Sequence, residues 1–115
     1  MAARRTHLLA MAVIAAALSA TAANAEKKYD AGASDIEINI GNIMPYSGPA
    51  SSYGVIGKTE KAFFDMVNAE GGVNGRKINF ISYDDAYSPP KAIEQARKLV
   101  ESDEVLLIVQ SLGAP

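Results

Sequence analysis

VLLIV, residues 105–109, is a run of five apolar side chains between Glu104 and the segment QSLGAP at 110–115. A strand with one wet face alternates polar and apolar residues. An unbroken run expects cover on both faces, as in the interior of a parallel sheet. Upstream, residues 89–102 (PPKAIEQARKLVES) read as a helix that buries Ile93, Ala96, Leu99 and Val100. Ser88 offers a capping hydroxyl, and proline at the first helical position gives up no useful N–H. Residues 77–84 (KINFISYD) alternate as a strand, with Ile78, Phe80 and Ser82 opposite Asn79, Ile81 and Tyr83. Residues 53–70 read as a second amphipathic helix with Ile56, Phe63, Phe64 and Val67 inward. Ser51 or Ser52 caps it, and Gly71-Gly72 ends it because glycine accepts the left-handed conformation of a helix terminus. Residues 36–44 are the first strand, with Ile36, Ile38 and Ile40 on one face and Pro45 as the stop.

The order β-α-β-α-β predicts an α/β fold class, a three-layer parallel sheet with right-handed crossovers. Strand order 2-1-3 puts the first strand in the centre and the two helices on opposite faces. Nothing after residue 109 is long enough to pair the far side of the apolar run, so further chain is expected beyond Pro115. No internal repeat or low-complexity segment interrupts residues 26–115, of which 26–35 (EKKYDAGASD) read as a flexible leader.

The amino terminus carries a different signal. Arg4 and Arg5 precede the apolar run LLAMAVIAAAL at 8–18, and Ala23-Asn24-Ala25 places small residues before a cut. That combination is a secretory signal peptide over residues 1–25, cleaved after Ala25; the apolar run is short for a bilayer span. Thr6-His7 follows the arginine pair in place of two apolar residues, which favours the general export route over the twin-arginine one.

Cleavage removes two of the 11 basic residues and none of the 13 acidic ones, so the net charge falls from −2 to −4. An acidic chain lacks the electrostatic footprint of a nucleic-acid binder. The chain contains no cysteine, and its one histidine, His7, leaves with the signal. A disulfide framework, a thiolate metal site and a lipid-anchored cysteine are excluded, and no metal or cofactor site is expected.

In a parallel sheet the loops that follow the strands, at 45–53, 84–90 and 110–115, gather at one edge. The chain direction reverses between strands one and three, which opens a crevice there. Glycines, hydroxyls and the start of the helix near Ser52 suit an anionic ligand such as a carboxylate. Tyr46 and Tyr53 flank the first loop; either fits a core aromatic with its hydroxyl satisfied, and Tyr53, where the helix meets the pocket edge, is the one placed to lie against a ligand. Gly57-Lys58-Thr59 imitates the end of a phosphate-binding loop. Ser52 stands where that pattern needs glycine, however, and Gln110 follows the apolar strand where it needs aspartate. Asp84-Asp85 reads as turn-making, with contact to a ligand ammonium as the lesser alternative. Ser111 is open to two compatible roles, capping a following helix and binding the ligand.

Three elements carry a family resemblance: SGP with YG (Ser47 to Pro49, Tyr53-Gly54), GGVNGRK (Gly71 to Lys77) and YDDAYSPPKA (Tyr83 to Ala92). The chain resembles the amino-terminal part of the leucine/isoleucine/valine-binding family. These are periplasmic solute receptors of ABC importers with the type I periplasmic-binding fold. The resemblance implies that residues 36–115 are part of the amino-terminal lobe of a longer, two-lobed protein that closes on a small ligand without catalysis. It implies a periplasmic location and a membrane permease as partner. It places the ligand carboxylate on Ser111, Leu112 and Gly113 and an aromatic contact on Tyr53. Gly113-Ala114 stands where hydroxyls often occur, which shifts weight to the backbone. A single lobe of such a site is expected to bind weakly. The same fold also serves signalling, so the sensing lobe of a receptor is a competing reading; an exported enzyme is a third, which the lack of His and Cys after cleavage argues against.

Overall fold

A computed structural model describes residues 28–113 of the chain. The expected signal peptide and its cleavage site after Ala25 lie outside the described residues. The elements are β1 (Glu37–Met44), a 3-10 turn (Ser51–Tyr53), α1 (Gly54–Ala69), β2 (Lys77–Asp84), α2 (Pro89–Arg97) and β3 (Leu107–Ile108). A π-helical turn (Lys98–Ser102) prolongs α2. The sheet is parallel in the order β2-β1-β3, as the alternation of strands and helices predicts.

The two helices lie on opposite faces, and the pleat of β1 assigns its residues between them. Even positions face α1: a Cβ at Gly57 would meet the Met44 side chain at 3.2 Å. Odd positions face α2: a Cβ at Gly41 would meet the Leu99 methyls at 3.1 Å. Ile43, Met44 and Leu99 form the buried apolar core. Phe64 of α1 packs on Phe80 of β2 with ring centroids 5.1 Å apart. Asn68 reaches from α1 to the outer edge of β2, where its amide takes both the N–H and the carbonyl of Ile78 at 2.7 Å.

Several details depart from the pattern reading. On α1, Ile56 and Phe63 are exposed, while Gly54 and Gly57 are buried. The helix approaches the sheet through glycine because the Tyr46 ring lies between them; a Cβ at Gly57 would stand 2.1 Å from the Tyr46 hydroxyl. Apolar periodicity finds large side chains and cannot find a contact face made of absent ones. On α2, Leu99 is buried but Ile93 and Val100 are exposed. Neither helix receives the expected hydroxyl cap: neither Ser51, Ser52 nor Ser88 makes a side-chain capping bond. Ser88 instead takes the N–H of Ala92 on its backbone carbonyl, 2.9 Å.

The largest departure is the apolar run itself, which is a strand only at Leu107–Ile108, with Leu106, Leu107 and Ile108 exposed among the described residues. The reason is visible in its hydrogen bonds. The carbonyls of Asn39, Gly41 and Ile43, two residues apart on β1, take the N–H groups of Leu106, Val109 and Leu112, three apart. Each step therefore carries one residue too many for a regular ladder, as in a bulge. At the start of the run the extra space is filled from the segment read as a flexible leader. Gly32 accepts the Asn39 N–H at 2.7 Å, and Ala33 bridges Ile38. Gly32 has φ +75, and a Cβ there would stand 2.2 Å from the Leu106 nitrogen. Only glycine fits this wedge.

Candidate functional site

The loops after β1 and β2 are knotted together by one carboxylate. Asp84 Oδ1 accepts the N–H groups of Tyr46 (2.8 Å), Ser47 (3.1 Å) and Ala86 (2.9 Å), and Oδ2 accepts the Ser47 hydroxyl. Burial pushes the Asp84 carboxyl up, but the bonds from Ser47, Ala86 and Tyr46 outweigh it and hold the group below its ordinary value. Asp85, 2 % exposed, accepts the Tyr87 N–H at 2.9 Å. Both aspartates therefore make turns, as the sequence suggests. The turn is strained, since Ala86 (φ 50) and Tyr87 (φ 59) occupy the left-handed region.

The segment after β3 returns to the same edge of the sheet. The Leu112 N–H donates to the Ile43 carbonyl at 3.0 Å, and the Ile43 N–H donates to Ser111 Oγ at 3.0 Å. Ser111 thus spends one acceptor inward and keeps its own proton to donate. Among the described residues, the N–H groups of Ser111 and Gly113 have no protein acceptor. Gln110, at φ 46, makes the bend. The segments after Met44 and Val109 therefore meet at one end of the sheet.

Between this segment and α2 lies a cleft of about 250 Å³ lined by Ile43, Asp85, Ile93, Ser111, Leu112 and Gly113, among others. Three of the four expected ligand residues, Ser111, Leu112 and Gly113, line it together. Tyr53 does not. It stands 55 % exposed at the entry to α1, on the other face of the sheet. The cleft is apolar along its α2 wall and polar at its floor, where Asp85 Oδ2 lies 3.4 Å from the position of a Gly113 Cβ. A second cavity, about 330 Å³, lies between α1 and β2 and is lined by Tyr46, Gly57, Lys58, Lys61, Phe80 and Ser82. Its Lys61 is paired with Asp65 at 2.7 Å, and Thr59 bonds the Val55 carbonyl within the helix. Of the GKT triplet, Lys58 and Thr59 are exposed helix surface and Gly57 is the buried contact with Tyr46.

Sequence reading missed Asn42, which is fully buried in the middle of the sheet. Its amide nitrogen donates to the carbonyls of Val109 (2.9 Å) and Gln110 (3.1 Å), and its oxygen accepts the Ser82 hydroxyl at 2.8 Å. The signal was present: Asn42 continues the face that Ile38 and Ile40 begin, so a polar group falls where the apolar side of the alternation should go on.

Comparison with known proteins places this geometry. The family described as "Periplasmic binding protein" matches residues 37–115. The Leu/Ile/Val-binding protein of Escherichia coli strain K12 is 40% identical over 70 residues, 59% of this chain and 18% of that protein. An amino acid binding protein of Pseudomonas aeruginosa is 34% identical over 76 residues, 64% of this chain and 20% of its own length. The chain thus spans about a fifth of the length of the curated relatives it matches. Among solved structures, a fatty acid ABC transporter substrate-binding protein from Thermomonospora curvata superposes with TM-score 0.66 at 29% identity, over 76% of this chain and 22% of that one. A branched-chain amino acid transporter substrate-binding protein from Streptococcus pneumoniae, in complex with isoleucine, gives TM-score 0.59 at 27% identity, over 63% and 21%. A solute-binding protein of an ABC transporter from Rhodopseudomonas palustris, in complex with 3,4-dihydroxybenzoic acid, gives TM-score 0.54 at 29% identity, over 63% and 20%. With the parallel β2-β1-β3 sheet and a family match over most of its length, the chain belongs to the periplasmic binding protein family.

Proposed function

We propose that this chain contributes the first part of a ligand-binding lobe to the periplasmic solute receptor of an ABC importer, and that its ligand is a branched-chain amino acid or a similar small carboxylate. It delivers that ligand to a membrane permease and catalyses nothing. The observation that carries the reading is the meeting of the segments after β1 and β3 at one sheet edge, with N–H groups at Ser111 and Gly113 that have no acceptor among the described residues. Those donors suit a carboxylate, and the leaving of His7 with a cleaved signal suits a binding role over catalysis.

Asp85 favours an amino acid over a plain organic acid. A carboxylate at the floor of the cleft repels a second carboxylate unless the ligand also carries an ammonium. The apolar wall at Ile43, Ile93 and Leu112 would then take an aliphatic side chain. The competing reading is a plain acid, favoured by the same wall and by the likeness to a fatty acid substrate-binding protein and to a solute-binding protein in complex with dihydroxybenzoic acid.

Titration of the processed chain, followed by backbone amide NMR, separates the two. Leucine is expected to shift the amides of Asp85 and Ser111 to Gly113, with an affinity on the order of millimolar because a single lobe leaves the ligand largely hydrated. Benzoate is expected to leave them unmoved. Shifts with benzoate and none with leucine, isoleucine or valine would overturn the amino-acid reading.

A further inference from the structure

The hydrogens around Asn42 can all be placed. Its amide nitrogen faces two carbonyls, Val109 and Gln110, so the side chain has one orientation only. Its oxygen must then accept, and the Ser82 hydroxyl at 2.8 Å must donate to it. That uses the single proton of Ser82, so the Tyr46 hydroxyl, also bonded to Ser82, is the donor there. The result is a one-way chain from Tyr46 through Ser82 and Asn42 to the backbone of Val109 and Gln110. It crosses the sheet from the α1 side of β2 to the end of β3.

The destination is the point where the ladder fails. Between Val109 and Leu112 the chain holds one residue more than β1 can pair, and Gln110 takes φ 46 to absorb it. The Ile43 N–H turns to Ser111 Oγ, which leaves the Val109 and Gln110 carbonyls without a partner on the β1 backbone. Both bonds are part-buried, where a carbonyl left without a partner is costly. The Asn42 amide supplies both, and it is the only side chain among the described residues that bonds either.

We propose that Asn42 is the positioning residue of the cleft. Acting through the carbonyls of Val109 and Gln110, it fixes the bend that presents Ser111 to Gly113 to the ligand, and Ser82 and Tyr46 fix Asn42 in turn. This inference rests on the reading of 111–113 as a ligand-contact segment, but its test does not need a ligand. Amide hydrogen exchange is compared at Leu112, beyond the bend, and at Leu106, which bonds Asn39 on the same edge of β1 but lies away from the amide. Asn42→Leu removes the donors at similar volume. Exchange at Leu112 is expected to quicken roughly tenfold relative to Leu106. Ser82→Ala, which removes only the support of Asn42, gives a smaller quickening at the same place, and Tyr46→Phe gives the least. Equal quickening at both amides, or none, in Asn42→Leu would overturn the proposal. Should that variant fail to fold, the same two outcomes in Ser82→Ala decide it. Leucine titrations on the same variants report separately, so a wrong ligand class leaves the exchange pattern standing.

Discussion

β1 has two flanks built on different rules. Toward β2 it pairs along its whole length, from Glu37↔Lys77 to Met44↔Asp84, in one parallel register. Toward β3 it pairs only at Ile40↔Leu107 and Gly41↔Ile108. The first flank is held by a repeating backbone ladder, and α1 covers it with Phe64 on Phe80 and Asn68 on Ile78. The second is held by particular groups: the Gly32 carbonyl, the Asn42 amide, the Ser111 hydroxyl and the Leu99 side chain. A ladder sets the spacing of strands but aims nothing. Side-chain bonds that interrupt a ladder can turn a segment to a chosen direction, and the candidate cleft lies on the interrupted flank.

If that contrast is right, damage to the β3 flank should be local, costly and specific to residue type. Leu99→Ala should show the largest effect. Leu99 is fully buried and lies over Gly41 beside Val105, so truncation leaves a void between α2 and both strands. A loss of about 3 kcal/mol is expected in urea unfolding, and the Val109 amide should lose exchange protection before those of β2. Equal loss across the whole sheet would show that the two flanks are one unit. Gly32→Ala comes next. The left-handed φ of +75 and the 2.2 Å approach to the Leu106 nitrogen both act against any side chain, for a loss of about 2 kcal/mol. Gly75, also left-handed but with open space around it, is the control; Gly75→Ala should cost about 1 kcal/mol, from the backbone conformation alone.

The same contrast explains what could be read in advance. The register flank was legible: residues 77–84 alternate, β2 occupies Lys77–Asp84, and the strand order follows from a β-α-β-α-β pattern. The end of the cleft was legible too, because parallel strands bring the loops after Met44 and Val109 to one edge. The β3 flank was not. Five apolar residues look like a strand whatever their hydrogen bonds do, and the three-for-two stepping comes from Gly32, Asn42 and Ser111, far apart in sequence. The inward face of α1 was misread for a related reason. Gly57 matters through the space it leaves for Tyr46, which has no signature in a hydrophobic pattern.

Asp84 closes the regular flank and offers a milder test. Its carboxylate serves both loops, so Asp84→Asn, which keeps one acceptor oxygen, should cost about 1 kcal/mol at pH 7 and leave β3 unaffected. The sign of the pH dependence follows from the lowered pKa. The contribution is present above the unfolded value near 3.8 and is lost as pH falls through the lower folded value. The wild-type chain should therefore lose stability over that acid range by more than Asp84→Asn does. Parallel acid limbs in the two proteins would remove Asp84 from the account.

The smallest expected effect is a gain, and it lies on α1. Glu60 sits one turn beyond Gly57 on α1, the helix that covers the regular flank. Both of its carboxylate oxygens are buried without a hydrogen-bond partner among the described residues, and burial raises its pKa above the ordinary 4.5. For an acid raised in this way the folded state prefers the proton. The penalty is absent below the unfolded pKa, grows as pH rises through the raised one, and is constant above it. Glu60→Gln keeps the shape and removes the charge, so it should stabilise the chain by somewhat under about 1 kcal/mol at pH 7.5. That gain should vanish once the pH falls below 4.5. A flat difference between the two proteins across this range would mean that the carboxylate carries no burial penalty, and that the regular flank is held by its ladder and side-chain packing alone.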